Sequence, residues 1–241
     1  GSEMCIRDRP EAMDGLSLVQ ITDMHTRGYD AAEREVRSVL EAGCDLVLCT
    51  GDSCWQTRIG NPLVDTPAFE AGRQSGFSRE GLTFAPRTAA AVQVWRQLLS
   101  GLRFPLGIYA ISGNHDSPEL LEALPTIGIC VLYNETVLLN EHLQLCGLNG
   151  ASRMGCDIPT ALSNADADRF TIGMTHFPET ATALAAAGVN LILAGHTHGG
   201  QICLPGGRPL TTHSQCGYDY VAGLYRFGEN LLYTSRGVGY S

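Results

Sequence analysis

The sequence predicts an α/β fold in which two β-sheets pack face to face with helices on the outside. Three observations predict it. In the first half of the chain, apolar runs of strand length alternate with amphipathic helical stretches, which implies parallel strands covered by helices. In the second half short strands crowd together with one clear helix among them, which requires a second sheet. The chain has 241 residues, 44% hydrophobic and 17% charged, enough for one sizeable core and no reason to demand two.

The elements follow in order. Leu16-Ser17-Leu18-Val19-Gln20-Ile21 reads as a short buried strand. Asp30 to Ala42 reads as a helix with Val36, Val39 and Leu40 on one face. Asp45 to Thr50 is a second strand, and Thr88 to Leu99 a helix ended by Ser100-Gly101. Leu106 to Ser112 is a third strand, followed by a helix from Pro118 to Ile127 with proline at its start. Val131 to Leu139 and Leu143 to Leu148 read as a hairpin around Asn140-Glu141. Thr171 to Thr175, Leu191 to Ala194, Gln201 to Leu204, Tyr218 to Arg226 and Asn230 to Ser235 read as further strands. The helix among them spans Glu179 to Ala187.

These elements make one domain over 11–241, without linker or internal repeat. Residues 1–10 read as a tag or unstructured leader, and Gly1-Ser2 as an expression scar. No stretch reaches the roughly 18 apolar residues that a spanning helix needs. As given the chain reads as cytoplasmic. Membrane-associated or envelope placement is the alternative if an N-terminal anchor is missing. Two stretches, 53–87 and 150–168, fit no regular element, and segments of that length are usually functional or disordered. A lid near the active site and a passive surface excursion are equally open readings of them.

The net charge of -9, with no Lys/Arg cluster, speaks against a nucleic-acid polymer as partner. A small anion remains compatible if something locally positive receives it. Nine cysteines, an odd number with no C-x-x-C pair, argue against a disulfide framework and against a zinc ribbon. Cys44 and Cys49 read as small buried apolar residues.

The chemistry-bearing residues stand at strand ends. Asp23 and His25 follow the first strand, Gly51-Asp52 the second, and Gly113-Asn114-His115-Asp116 the third. His176 and then Gly195-His196-Thr197-His198-Gly199 follow later strands. In open α/β sheets ligands gather at the carboxyl ends of strands, so these segments can converge. The pocket so formed holds two carboxylates, one amide oxygen and four imidazoles, besides the His115–Asp116 pair. Oxygen and nitrogen donors without thiolate suit Mn, Fe, Zn, Co or Ni. Seven ligands are too many for one ion and suit two that share a bridge. Two divalent ions, two carboxylates and one hydroxide sum to about +1, a positive focus for a phosphate ester within an acidic protein. Any one of these histidines alone is more often structural. Five of the seven histidines in these few segments, each just after an apolar run, make the structural reading remote.

The pattern D-x-H, G-D, G-N-H-D, a lone His and G-H-x-H resembles the calcineurin-like metallophosphoesterases, with the motifs spanning 23–198 in family order. The resemblance implies two mixed sheets in a sandwich with flanking helices (an αββα arrangement). It implies one metal held by Asp23, His25, Asp52 and His198, and another by Asp52, Asn114, His176 and His196, with Asp52 bridging. It further implies attack on phosphorus by a bridging hydroxide, His115 as general acid and Asp116 orienting it. Gly-His-Thr-His-Gly-Gly-Gln and the later Gly-Leu-Tyr-Arg and Tyr-Thr-Ser-Arg-Gly-Val-Gly resemble the bacterial YkuE/YaeI-like branch, whose members are phosphodiesterases or phosphatases of membrane or envelope character. Purple acid phosphatases need a tyrosine ligand where Trp55 stands, which disfavours that branch.

The expected function is therefore di-metal hydrolysis of a phosphodiester or phosphomonoester, on a small or lipid-linked substrate, with peripheral membrane association open. A nucleotide phosphodiesterase is the alternative enzyme, with Trp55 or Phe84 able to stack a base, though packing is the commoner role. A catalytically weak protein-binding scaffold is the alternative class, and the intact ligand set and His115 count against it. Arg236 is a candidate for contact with substrate phosphate. His142 and His213 have no motif around them.

Overall fold

In the computed structural model, residues 13–26, 28–54, 86–200, 202–203, 209–211, 214–215 and 217–239 are described. Four strands make the first sheet: β1 (Leu18–Ile21), β2 (Leu46–Cys49), β3 (Gly107–Ala110) and β4 (Cys130–Val131), in that order and parallel throughout. The second sheet runs β11 (Gly223–Phe227), β12 (Asn230–Thr234), β8 (Leu191–Ala194), β7 (Phe170–Met174), β6 (Leu143–Gly147), β5 (Glu135–Leu138). Its four inner strands are parallel, and the edges β5 and β11 are antiparallel. Two sheets were expected to be mixed; one is, and the other is wholly parallel. A small pair, β9 (Ile202–Cys203) and β10 (Pro209–Thr211), stands apart.

Alternation along the strands explains why the sheets stack. In β2, Leu46 and Leu48 face the second sheet, whereas Val47 and Cys49 join the helix side. In β8, Leu191 and Leu193 meet the first sheet, and Ile192 and Ala194 face the outer helices. Both strands are buried on both faces, which is why they read as unbroken apolar runs. Each such leucine contributes about 1.5–3 kcal/mol by leaving water.

Helices α1 (Ala31–Glu41) and α2 (Pro86–Leu99) cover the first sheet, together with α3 (Pro118–Ala123). Asp30 caps α1 by accepting the Ala32 N–H at 2.8 Å, while Glu33 Oε2 accepts the Asp30 N–H at 3.0 Å. This reciprocal box is worth about 1 kcal/mol. The expected single helix 118–127 is α3 followed by a 3-10 turn at Leu124–Ile127. Pro125 has no N–H to continue the α ladder, so the chain tightens there. Short α4 (Ile158–Ala161) and α5 (Ala181–Ala186) cover the second sheet.

The expected strand 131–139 is divided between the sheets. Val131 still pairs with β3, and Glu135 already pairs with β6. Asn134, at φ 51°, makes the crossing. The expected strand 218–226 starts only at Gly223. The stretch 150–168 contains a 3-10 turn at Arg153–Gly155 and α4. The aromatics Trp55, Phe69, Phe77 and Phe84 lie outside the described residues, as do His213, residues 1–10 and most of 53–87. After β12 the chain returns to the first sheet, where Val238 N–H donates to Thr22 O at 3.1 Å and Gly239 N–H to Asp23 O at 2.9 Å.

Candidate metal centre

Every expected ligand stands just past the carboxyl end of a parallel strand: Asp23 and His25 after β1, Asp52 after β2, Asn114 after β3, His176 after β7, His196 and His198 after β8. The two sheets present those ends at one edge of the sandwich. There the side chains gather into two groups, each able to hold a metal ion: Asp23, His25 and His198 in one, Asp52, His176 and His196 in the other. Asp52 stands between the groups, with its Oδ2 3.3 Å from His176 Nε2 and 3.7 Å from His25 Nε2. Asn114 Oδ1 lies 3.0 Å from His176 Nε2, which places the amide beside the second group.

The backbone is bent to achieve this. Asp23, His25, Asp52, His196 and His198 all have positive φ, five of the seven such non-glycine residues among those described. That conformation costs roughly 1–3 kcal/mol each and persists only where the surroundings impose it. The nearby glycines are packing requirements: a Cβ on Gly113 would run into the Asp52 carboxylate, and one on Gly195 into Thr22 and Asp23.

The donor set fits a divalent metal. Asp23 and Asp52 are fully buried carboxylates, and among the described residues Asp23 Oδ1 accepts no hydrogen bond, with His198 Nε2 3.4 Å away. His25 Nε2 and His198 Nε2 face each other at 3.0 Å, two nitrogens that without a shared cation must share a proton. The outer ring of contacts already orients the ligands. His176 Nδ1–H donates to Thr50 O at 2.9 Å, which turns Nε2 toward the group. Thr22 Oγ1 donates to Asp23 Oδ2 at 2.7 Å.

Protonation reflects the same crowding. Burial disfavours the His176 cation, but the Asp52 and Asp23 carboxylates outweigh it and lift its pKa to about 9. Burial and neighbouring imidazoles hold His25 down, to about 4. Burial pushes Asp23 up. Asp52 stays well below the usual carboxylate range, because the histidines around it overcome its burial.

His115 is half-buried at the rim, its ring edge-on to His25 with centroids 5.2 Å apart. Its backbone N–H donates to Asp52 Oδ1 at 2.8 Å. Asp116 is buried, and its carboxylate accepts the backbone N–H groups of Asp52, Gly113 and Cys54. Burial and the Asp52 charge push it up to about 7, against the Gly113 and Cys54 donors. Arg236 lies along Gly199, next to His198, where a Cβ would come 2.8 Å from its Nη1. His142 is far less enclosed and pairs with Glu141. Cys44, Cys49 and Cys146 are buried free thiols, and Cys54 is buried as well.

Sequence reasoning missed Arg153. It sits in the irregular stretch after β6, with Nη2 3.3 Å from His196 Nε2, its guanidinium over the Phe177 ring and an ion pair to Glu179. Its position after a strand of the same parallel set was the available signal, but no motif surrounds it.

Comparison with known proteins agrees with this geometry. The family model described as calcineurin-like phosphoesterase matches residues 16–200. The chain is 28% identical to an uncharacterized metallophosphoesterase, YkuE, of Bacillus subtilis, over 95% of this chain and 74% of that protein. It is 35% identical to the phosphodiesterase YaeI of Escherichia coli over 54% of this chain and 51% of YaeI. A bovine transmembrane protein with a metallophosphoesterase domain is 27% identical over 99% of this chain, which spans 52% of its length; relatives are thus not confined to bacteria. No helix among the described residues is long and apolar enough to cross a membrane. The crystal structure of a phosphopantetheinyl hydrolase from Mycobacterium tuberculosis shares the fold, with TM-score 0.50 and 12% identity over 93% of this chain and 89% of that one. The chain belongs to the calcineurin-like phosphoesterases, metal-dependent hydrolases of phosphoric esters.

Proposed function

We propose that the protein hydrolyses a phosphodiester, or a phosphomonoester, at a centre of two divalent transition-metal ions bridged by Asp52. The carrying observation is Asp52 Oδ2, within 3.3 Å of His176 in one ligand group and 3.7 Å of His25 in the other. Asp23, His25, Asp52 and His198 would hold one ion, and Asp52, Asn114, His176 and His196 the other. Ions of the Mn, Fe, Zn, Co or Ni type in these groups would supply Lewis acidity and an activated water for in-line attack on phosphorus.

The remaining chemistry belongs to the chain. His115 touches a phosphoryl oxygen and delivers a proton to the leaving oxygen, which spares the departure of an alkoxide. Asp116 positions His115 through the loop, since it ties the amides of Gly113 and Asp52 together, and Asp52 in turn accepts the His115 N–H. Arg236, at the edge of the His198 loop, is a second contact for the substrate phosphate. The substrate is small or lipid-linked. The name of YaeI favours a diester, and the transmembrane relative supports a peripheral membrane setting.

The test is hydrolysis of bis-p-nitrophenyl phosphate and p-nitrophenyl phosphate by metal-stripped protein with Mn, Zn, Ni, Co or Mg added back. Faster diester cleavage with a transition metal supports the reading. Faster monoester cleavage moves it to a phosphatase. Absence of turnover with every metal, in folded protein, sinks it.

A further inference from the structure

Arg153 is bound in three ways at once. Its Nε is paired with Glu179, its guanidinium carbon lies 4.6 Å from the centroid of the Phe177 ring, and its Nη2 is 3.3 Å from His196 Nε2. The loop that carries it is tied down. Asn134, at the crossing between the sheets, accepts the Asn149 and Asp157 N–H groups and donates to Gly155 O. Ser152 accepts the Gly155 N–H at 3.1 Å. Glu179 is steadied from its other side by Ser214 Oγ. The guanidinium is thus held at Nε and at Nη2, and the loop beneath it is held as well.

The contact with His196 carries chemical information. A guanidinium has donors and no acceptor, so His196 Nε2 is the acceptor, and the imidazole lone pair is spent on Arg153. A neutral imidazole has one such pair. A metal ion at either ring nitrogen of His196 takes it: at Nε2 directly, and at Nδ1 by moving the ring proton to Nε2. In both cases the Arg153–His196 hydrogen bond ends. The Glu179 pair and the Phe177 stacking do not depend on that lone pair and stay.

We infer that Arg153 is a phosphate-binding residue of the centre, whose Nη2 donors are turned over from His196 to a substrate phosphoryl oxygen when the second ligand group is loaded. This rests on the di-metal reading above. A planar fork with one edge on a carboxylate and the other toward the site is suited to a tetrahedral oxyanion, and lysine cannot reproduce it. Glu179 is the positioning residue.

The experiment is calorimetric binding of inorganic phosphate, the product common to monoester hydrolysis, to protein reloaded with Mn. Metal content is measured on the same samples. Arg153→Ala is expected to keep both metals and to bind phosphate roughly tenfold to a hundredfold more weakly, the value of a charge-assisted hydrogen bond. Arg153→Lys, which keeps the charge and serves if the alanine variant does not fold, is expected to fall between. Glu179→Gln is expected to weaken phosphate binding less than Arg153→Ala. Phosphate affinity within twofold of wild type in both Arg153 variants, with two metals bound, overturns the inference and leaves the di-metal reading standing. Loss of metal from Arg153→Ala also overturns it, by making Arg153 a support of the ligand group. A wild-type protein that takes up no metal removes both.

Discussion

The backbone amide of Asp52 donates to Asp116 Oδ2 at 2.8 Å, from two loops 64 positions apart in the chain. The same oxygen accepts the Gly113 amide at 2.9 Å, while Asp52 Oδ1 returns the favour to the His115 amide at 2.8 Å. The loops after β2 and β3 are therefore locked to each other by the chain's own hydrogen bonds.

Replacing Asp116 by alanine strands three buried amide donors, each costing about 1–3 kcal/mol. The expected loss is about 3 kcal/mol or more of stability in urea unfolding, with Asp116→Asn also destabilised because its amide nitrogen cannot accept. A variant as stable as wild type would show that water replaces the carboxylate.

Asp52 and His115 separate binding from chemistry. Asp52→Asn is expected to lose metal in elemental analysis, since its Oδ2 lies near a histidine of each ligand group. His115→Ala is expected to keep its metals and lose turnover by about 10²–10⁴-fold, the usual worth of a general acid. The reverse pattern would overturn both roles.

Gly113→Ala is expected to fail although Gly113 is not itself a ligand. Its Cβ would occupy the space of the Asp52 carboxylate and amide, both held by other bonds. Overpacking of this kind costs about 1–3 kcal/mol. The measurement is metal content alongside unfolding, and both should fall.

Metal-stripped protein should lose stability as pH rises from about 6.5 to 9. His176 has a folded pKa near 9, above the ordinary 6.5, so its contribution is complete below 6.5 and lost as pH passes through 9. His25, held near 4, does not titrate in that window. Metal affinity should run the other way and rise with pH, because ligands must shed protons to bind. Unfolding curves with and without Mn at pH 6.5 and 9 test both signs.

Much of the centre was legible because ligand loops follow apolar strands. Leu46 to Cys49 cannot be mistaken for anything but a buried strand, and Gly51-Asp52 must then stand at its end. The division of 131–139 between sheets was not legible: Val131, Val137 and Leu138 read as one run, and nothing local to Asn134 announces a positive φ. Arg153 was missed for a related reason, since its partners Phe177, Glu179 and His196 come from other strands and exist as neighbours only once the second sheet forms.

The return of residues 238–239 to the first strand's loop has a consequence for synthesis. Gly239 N–H holds the carbonyl of Asp23, and a side chain at that glycine would strike the Met24 carbonyl. Asp23 is thus braced by residues made long after it. A nascent chain can stack its first sheet and helices before it can finish the Asp23 loop, so that ligand group is completed only once residues 238–239 have been made.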